Sequence, residues 1–322
     1  MSGTVQLIAD RSFPPTAGST PSTRSLASAL PEPQYLTLEG KCVIEYIDTA
    51  SIGTASTPSL ICIVLVHGAP GTYKDFRRLV PLLQDSARVV AINLPGVGGS
   101  RVLDQDKYFD SVGALGAARL AYEALAQICQ GEESVFVAGH SFGGHTAINL
   151  ATLDAAHRRL NVRGIILMAS AGHRPHRAFW PIGSAVVANT VRADLPMISS
   201  AAKTVAKLGY TKVVGFPGNA PRSYYVSSII RSYCTDFNLI RQQTKQLAAQ
   251  SVPAFIAWAK DDVFIEEVIA KKLSRDCHAG PRIVFEKGGH NIQKTQAHVL
   301  AKEIAAWTRH VVVQTPTHQA KL

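Results

Sequence analysis

The run Gly139-His140-Ser141-Phe142-Gly143 follows Ser134-Val135-Phe136-Val137-Ala138, a short β-branched and aromatic stretch. It precedes a segment from Gly144 to Leu160 in which Ala147, Leu150, Ala151 and Leu153 recur at helical spacing. Strand, sharp turn and helix therefore succeed one another across a Gly-x-Ser-x-Gly motif. Such a turn strains the backbone of its central residue and brings neighbouring segments too close for a Cβ, which is the physical use of glycines at 139 and 143. The context makes Ser141 a candidate nucleophile. The plainer reading is a glycine-rich turn whose serine only caps the helix.

A serine hydroxyl is a poor nucleophile at neutral pH and needs a base, itself oriented by an acid, here in the chain order serine, acid, histidine. Both partners occur downstream. Val252 to Trp258 has the composition of a buried strand and runs into Ala259-Lys260-Asp261-Asp262, placing carboxylates at the carboxyl edge of a sheet. Arg282-Ile283-Val284-Phe285-Glu286 is a second strand, followed by Lys287-Gly288-Gly289-His290-Asn291 and a helix expected to run to about Arg309. His290 is the candidate base. Val263 to Arg275 is expected to be helical, so either aspartate could instead cap that helix or favour its dipole.

These motifs resemble those of the α/β-hydrolase superfamily. The resemblance favours Asp262 as the acid, because the acid there commonly stands fourth in a Gly-x-x-Asp turn, and it assigns Asp261 to a capping or solvated role. Ala259 replaces the glycine of that turn, which keeps Asp261 as an alternative. Upstream, the strand Leu60 to Val66 leads into His67-Gly68-Ala69-Pro70-Gly71, similar to the oxyanion loop of the superfamily. A tetrahedral intermediate needs two donors, and backbone N–H groups supply them without reorganisation. Phe142 and Ala69 are the candidates, and His67 is read as a structural hydrogen-bonder. Asn93 stands after the strand Ala87 to Ile92, where relatives usually carry aspartate in a turn-organising role.

The expected architecture is an α/β-hydrolase fold: a mostly parallel central sheet with helices on both faces and a helical cap insertion. Residues 1–34, rich in Ser, Thr, Pro and Ala, are expected to be disordered or an addressing segment. Core segments are expected at 35–172 and 251–310, a helical cap at 173–250 and an exposed tail at 311–322. Tyr35-Leu36-Thr37-Leu38 and Cys42 to Ile47 flank Glu39-Gly40-Lys41 as an antiparallel hairpin. Helices at about 72–84, 108–130 and 144–160 alternate with strands, the pattern of a sheet covered on both faces. Phe179, Trp180 and Tyr224 are the cap's candidate substrate-binding residues, although a cap must bury most of its aromatics on the domain below.

The 322 residues carry 46% apolar side chains and a formal charge of +10. Lys and Arg are dispersed without a basic block, which argues against nucleic-acid binding and allows at most peripheral membrane contact. No apolar run approaches the roughly twenty residues of a membrane span. Gly96-Val97-Gly98-Gly99 lacks the spacing of a dinucleotide fingerprint and the lysine of a phosphate loop. The eleven histidines show no ligand spacing, so neither a metal nor another cofactor is expected. His140, His145, His157 and His173 read as surface or core histidines. Five widely spaced cysteines fit free thiols in a reducing compartment.

Ala320-Lys321-Leu322 is similar to the peroxisomal Ser-Lys-Leu address, so a peroxisomal import receptor is an expected partner and a peroxisome or related organelle the expected location, with mitochondrion and cytoplasm as alternatives. The resemblance implies a serine hydrolase, carboxylesterase- or lipase-like, that cleaves a carboxylic ester of a small-molecule acyl substrate, either a lipid or an acyl ester with a hydrophobic portion, through an acyl-enzyme on Ser141. Proline-iminopeptidase-like and C–C bond hydrolases share the motifs. A homologue that only binds a ligand or protein remains the non-enzymatic alternative.

Overall fold

The computed structural model describes residues 5–7, 30–52, 60–177, 181–193, 195–213, 215, 216 and 218–314. Its strands are β1 (Val5–Leu7), β2 (Gln34–Leu38), β3 (Cys42–Asp48), β4 (Cys62–Val66), β5 (Arg88–Ile92), β6 (Arg101–Val102), β7 (Val135–His140), β8 (Val162–Met168), β9 (Ala254–Ala259) and β10 (Arg282–Phe285). One sheet contains them all in the order β1-β10-β9-β8-β7-β4-β5-β3-β2, with β6 paired to β3. Pairings from β10 across to β5 are parallel, and β1, β2, β3 and β6 pair antiparallel at the margins.

The two-residue strand period sorts the core onto two faces. Cys62, Val64 and Val66 of β4 join Ala121, Leu125, Ile148 and Leu150 on one side. Ile63 and Leu65 join Phe76, Leu83, Leu300 and Ile304 on the other. Because both faces are covered, the parallel strands are apolar throughout rather than alternating. The chain leaves β4 toward β5 on one side and returns to β7 on the other. That reversal creates a crevice outside the carboxyl ends of β4 and β7.

Several local expectations need correction. Within the segment expected to be disordered, Val5–Leu7 forms an edge strand whose backbone pairs with Phe285, Val284 and Ile283. The helix expected at 72–84 is a 3-10 turn, Tyr73–Phe76, followed by a single helical turn, Val80–Leu83. Pro81 has no N–H to continue an earlier helix. The helix expected at 108–130 divides into Tyr108–Val112 and Ala114–Ile128 at Gly113, whose extended backbone caps the second. At the other end, the helix Ala297–Gln314 carries Val311 into the core, so the first residues of the expected tail are helical.

Between β8 and β9 stand the helices Pro181–Arg192, Pro196–Leu208, Arg222–Tyr233 and Phe237–Ala249. The first three share an apolar cluster of Ala188, Val191, Ala202, Ala206, Val226 and Ile230, seated on Val102 and Val112. Phe237–Ala249 differs. Its Ile240 and Leu247 belong to the main core, so it packs as part of the body although its sequence falls inside the expected cap interval.

Candidate active site

Ser141 stands between β7 and the helix Phe142–His157, at the helix's N-cap position, with φ 54° and ψ −125°. A non-glycine residue at positive φ is costly and persists only where the surroundings enforce it. The enforcement is visible in the two flanking glycines. A Cβ on Gly139 would lie 2.1 Å from the Gly143 carbonyl oxygen, and one on Gly143 would lie 2.2 Å from that of Val66. Backbone hydrogen bonds hold the turn from outside: Ser141 N–H donates to Met168 O at 3.1 Å, and Ala171 N–H donates to Ser141 O at 3.1 Å.

On the loop after β10, His290 donates from Nδ1 to Asp262 Oδ2 at 2.8 Å, which leaves Nε2 as the ring's acceptor. The other oxygen of Asp262 accepts the N–H groups of Phe264 at 2.8 Å and Ile265 at 3.0 Å. Burial opposes ionisation of Asp262. The hydrogen bond and charge of His290, with the two N–H groups, outweigh burial and hold its pKa below the usual carboxylate value. Asp261 faces elsewhere. Its Oδ1 accepts N–H groups from Gly288 at 2.9 Å and Gly289 at 2.8 Å, bracing the loop that carries His290. The next helix is Glu267–Asp276, starting later than Val263, and neither aspartate is its N-cap.

Beside Ser141 lies the loop after β4. A Cβ on Gly68 would come within 3.1 Å of Ser141 Cβ. His67 is fully buried, donates from Nδ1 to Gly68 O at 2.7 Å and accepts Leu94 N–H on Nε2 at 3.1 Å. Burial, reinforced by the Arg231 charge, pushes its pKa down to about 3. This neutral imidazole is held as a backbone brace. Asp75 ties the same loop down, accepting Lys294 Nζ at 2.5 Å and Thr72 N–H at 3.1 Å.

Two contacts escaped the sequence reading. His140 donates from Nε2 to His290 O at 2.9 Å, with the two rings 4.8 Å apart between centroids. Arg231, on the inserted helix Arg222–Tyr233, donates from Nη2 to Gly68 O. Composition gave no signal for either, since their partners are 150 and 163 residues away in sequence. Asn93, by contrast, has a local explanation. It donates from Nδ2 to Glu45 Oε2 at 2.5 Å and accepts Tyr73 N–H at 2.8 Å, so the carboxylate at this junction comes from Glu45.

A family model described as "Alpha/beta hydrolase family" matches residues 63–303. The chain belongs to the α/β-hydrolase family. Among curated relatives, this hydrolase is 24% identical over 274 residues to the dihydrolipoyllysine-residue acetyltransferase component of the acetoin cleaving system of Pseudomonas putida, covering 80% of this chain and 65% of that one. It thus spans less than two thirds of that relative's length. Among solved structures it resembles haloalkane dehalogenase DbeA from Bradyrhizobium elkani, with TM-score 0.65, 18% identity, and coverage of 88% of this chain and 99% of that chain. An esterase from Exiguobacterium antarcticum aligns with TM-score 0.62 and 16% identity over 85% of this chain and 98% of that chain.

In this α/β hydrolase, Tyr224 is half-buried on the same helix as Arg231. Phe179 and Trp180 lie outside the described residues, as do Ala320, Lys321 and Leu322. His145 donates from Nε2 to Gly172 O at 2.9 Å and is held neutral by burial, with a pKa down to about 4. His173 is buried against Thr244. Among the described residues no helix is long and apolar enough to cross a membrane, and no group of three or more His, Cys, Asp or Glu side chains could hold a metal.

Proposed function

We propose that this α/β hydrolase cleaves carboxylic esters through an acyl-enzyme on Ser141. His290 is the base and acid, Asp262 its orienting carboxylate, and the N–H groups of Phe142 and Ala69 the oxyanion donors. The observation that carries the reading is the His290–Asp262 hydrogen bond, made at the same sheet edge that holds Ser141 at positive φ.

Ser141 Oγ attacks the ester carbonyl carbon while its proton passes to His290 Nε2, and the imidazolium is stabilised by Asp262. The tetrahedral intermediate carries its negative charge on the former carbonyl oxygen, toward the backbone donors. Collapse breaks the bond to the alcohol, which leaves with the proton from His290. Water then attacks the acyl-enzyme, gives its proton to His290, and the second collapse returns a proton to Ser141 Oγ and releases the acid.

Serine at this position also bears on alkyl displacement, the carbon–halogen cleavage for which the haloalkane dehalogenase neighbour is named. Displacement by a hydroxyl would leave a serine ether, which has no carbonyl carbon for water to attack. Acyl transfer is the chemistry that regenerates this nucleophile. The apolar helices between β8 and β9 support an acyl or alcohol portion with hydrophobic surface.

Labelling with a fluorophosphonate probe, with mass-spectrometric location of the adduct, tests the proposal. The expected result is modification of Ser141 that is lost in Ser141→Ala and strongly slowed in His290→Ala, together with turnover of short- to medium-chain acyl esters. A folded protein that neither labels nor hydrolyses any ester in such a panel contradicts it.

A further inference from the structure

The Gly68 carbonyl and the Ala69 N–H are the two ends of one peptide unit, so whatever fixes the first also aims the second. Gly68 O accepts two hydrogen bonds, from His67 Nδ1 at 2.7 Å and from Arg231 Nη2. The first donor is neutral and comes from the adjoining residue. The second is a cation delivered by the inserted helix Arg222–Tyr233, which stands on Val102 and Val112 through Val226 and Ile230.

Arg231 is an unusual side chain to bury. It is 4% exposed, and its Nε and Nη1 have no hydrogen-bond partner. Among the described residues no acidic group forms an ion pair with it. Burial lowers its pKa to about 10, with Tyr210 and Tyr224 opposing that shift, so it is charged at neutral pH. Packing alone would be served better by an apolar residue, because a buried charge without a counter-ion is destabilising. A carboxylate neighbour would relieve that cost and would also cancel the field of the cation at the oxyanion.

We infer that Arg231 is a positioning residue of the oxyanion site. This rests on the proposed acyl-transfer reading and deepens it. Its charge-assisted hydrogen bond polarises the Gly68–Ala69 peptide, which makes the Ala69 N–H a stronger donor, since hydrogen bonds through a shared peptide reinforce one another. Its uncompensated charge favours negative charge developing beside Ser141, where a Cβ on Gly68 would already touch the nucleophile's Cβ at 3.1 Å. Seating of the inserted helix and readiness of the oxyanion site become one event. With that helix displaced, the peptide retains only the His67 donor.

The test compares Arg231→Gln and Arg231→Lys with the wild type, using an acyl ester and two inhibitors of matched chain: a trifluoromethyl ketone, which forms a charged tetrahedral adduct with serine, and the methyl ketone, which reports ground-state binding. Arg231→Gln is expected to lower kcat by about tenfold or more with KM changed by less than about threefold, and to weaken the trifluoromethyl ketone by a similar factor with the methyl ketone little affected. Arg231→Lys keeps the charge and should recover much of the loss; if Arg231→Gln does not fold, Arg231→Met, equally uncharged, takes its place in the comparison. Parallel weakening of both ketones, or a loss confined to KM, overturns the inference and leaves Arg231 as an anchor or a substrate contact. Fluorophosphonate labelling separates the two levels. A wild type that fails to label at Ser141 overturns the acyl-transfer reading and this inference with it. A labelled wild type with unchanged trifluoromethyl ketone affinity in both variants overturns this inference alone.

Discussion

His140 donates from Nε2 to the backbone carbonyl of His290 across 2.9 Å, joining the residue before the proposed nucleophile, Ser141, to its proposed base. A carbonyl only accepts, so the bond requires a proton on Nε2. Burial, with the nearby His290 charge, pushes the pKa of His140 down to about 3, so the ring is the neutral Nε2–H tautomer. His140→Phe keeps the ring volume and removes the donor. The expected effect is roughly a tenfold loss in kcat with little change in KM, from loosened placement of the base. His140→Gln, whose amide can reach a similar acceptor, should restore part of it. Steady-state kinetics beside thermal melts checks this, and an unchanged kcat in His140→Phe would show that the loop is fixed by other contacts.

The adjacent aspartates are expected to separate cleanly by experiment. Asp262 holds the ring of His290, whereas Asp261 holds the backbone at Gly288 and Gly289. Asp262→Asn should reduce kcat by about 10³ to 10⁴, because an amide can present N–H to Nδ1 and favour the wrong tautomer. Asp261→Ala should cost about 1–2 kcal/mol of stability through two unsatisfied loop N–H groups and only around tenfold in rate. Denaturation curves and kcat values for the two variants decide it; equal rate losses would mean that loop placement, rather than tautomer control, dominates.

Much of this site was legible because its signals are local. Fully buried parallel strands leave continuous apolar runs, as at Cys62–Val66 and Val135–Phe136-Val137, and the turn at Ser141 needs glycine on both sides for reasons internal to five residues. The unread parts depend on distant partners. Nothing near Arg231 foretells the Gly68 carbonyl, and nothing near His140 foretells the loop at His290. The strand Val5–Leu7 is three residues long in a Ser/Thr/Pro-rich stretch, too short for a period to emerge. The helix expected near 72–84 failed for another reason. Its apolar spacing arises from a 3-10 turn, capped by Thr72 and Asp75, followed by one separate helical turn.

Asn93 is a departure from the usual aspartate that the structure turns into a prediction. Glu45 Oε2 already accepts from Asn93 Nδ2 at 2.5 Å and from Gly99 N–H at 2.6 Å. Asn93→Asp would replace that donor with a second carboxylate inside the same buried junction. Two carboxylates so close cannot both ionise without penalty, so the variant should lose about 2 kcal/mol or more at pH 8. The deficit relative to wild type should shrink toward pH 5 as the pair takes up a shared proton. Urea denaturation of both proteins at several pH values measures the gap, and a gap independent of pH would assign the loss to geometry instead of charge.

Acid should unfold this protein through its buried histidines before its carboxylates matter. His67 and His140 have pKa values pushed down by burial to about 3, and His145 to about 4, whereas an unfolded histidine titrates near 6.5. Between those values the unfolded chain binds more protons than the folded one. The stability from keeping these rings neutral is therefore complete above about pH 6.5 and is lost progressively as pH falls toward 4 for His145 and toward 3 for His67 and His140. Each ring contributes a slope approaching 1.4 kcal/mol per pH unit, or about 4 kcal/mol per unit for the three together. Asp262, whose pKa is also depressed, adds a loss of the same sign at lower pH. Urea midpoints should be flat from pH 8 to 7 and fall steeply below 6. His176, also pushed down by burial to about 4, and His173, lowered by burial, add to the same slope, so replacing His145 with Gln, which can keep the donor to Gly172 O and does not titrate, should reduce it by about a quarter or less. A midpoint unchanged down to pH 5 would mean that the folded protein protonates these rings as readily as the unfolded chain does.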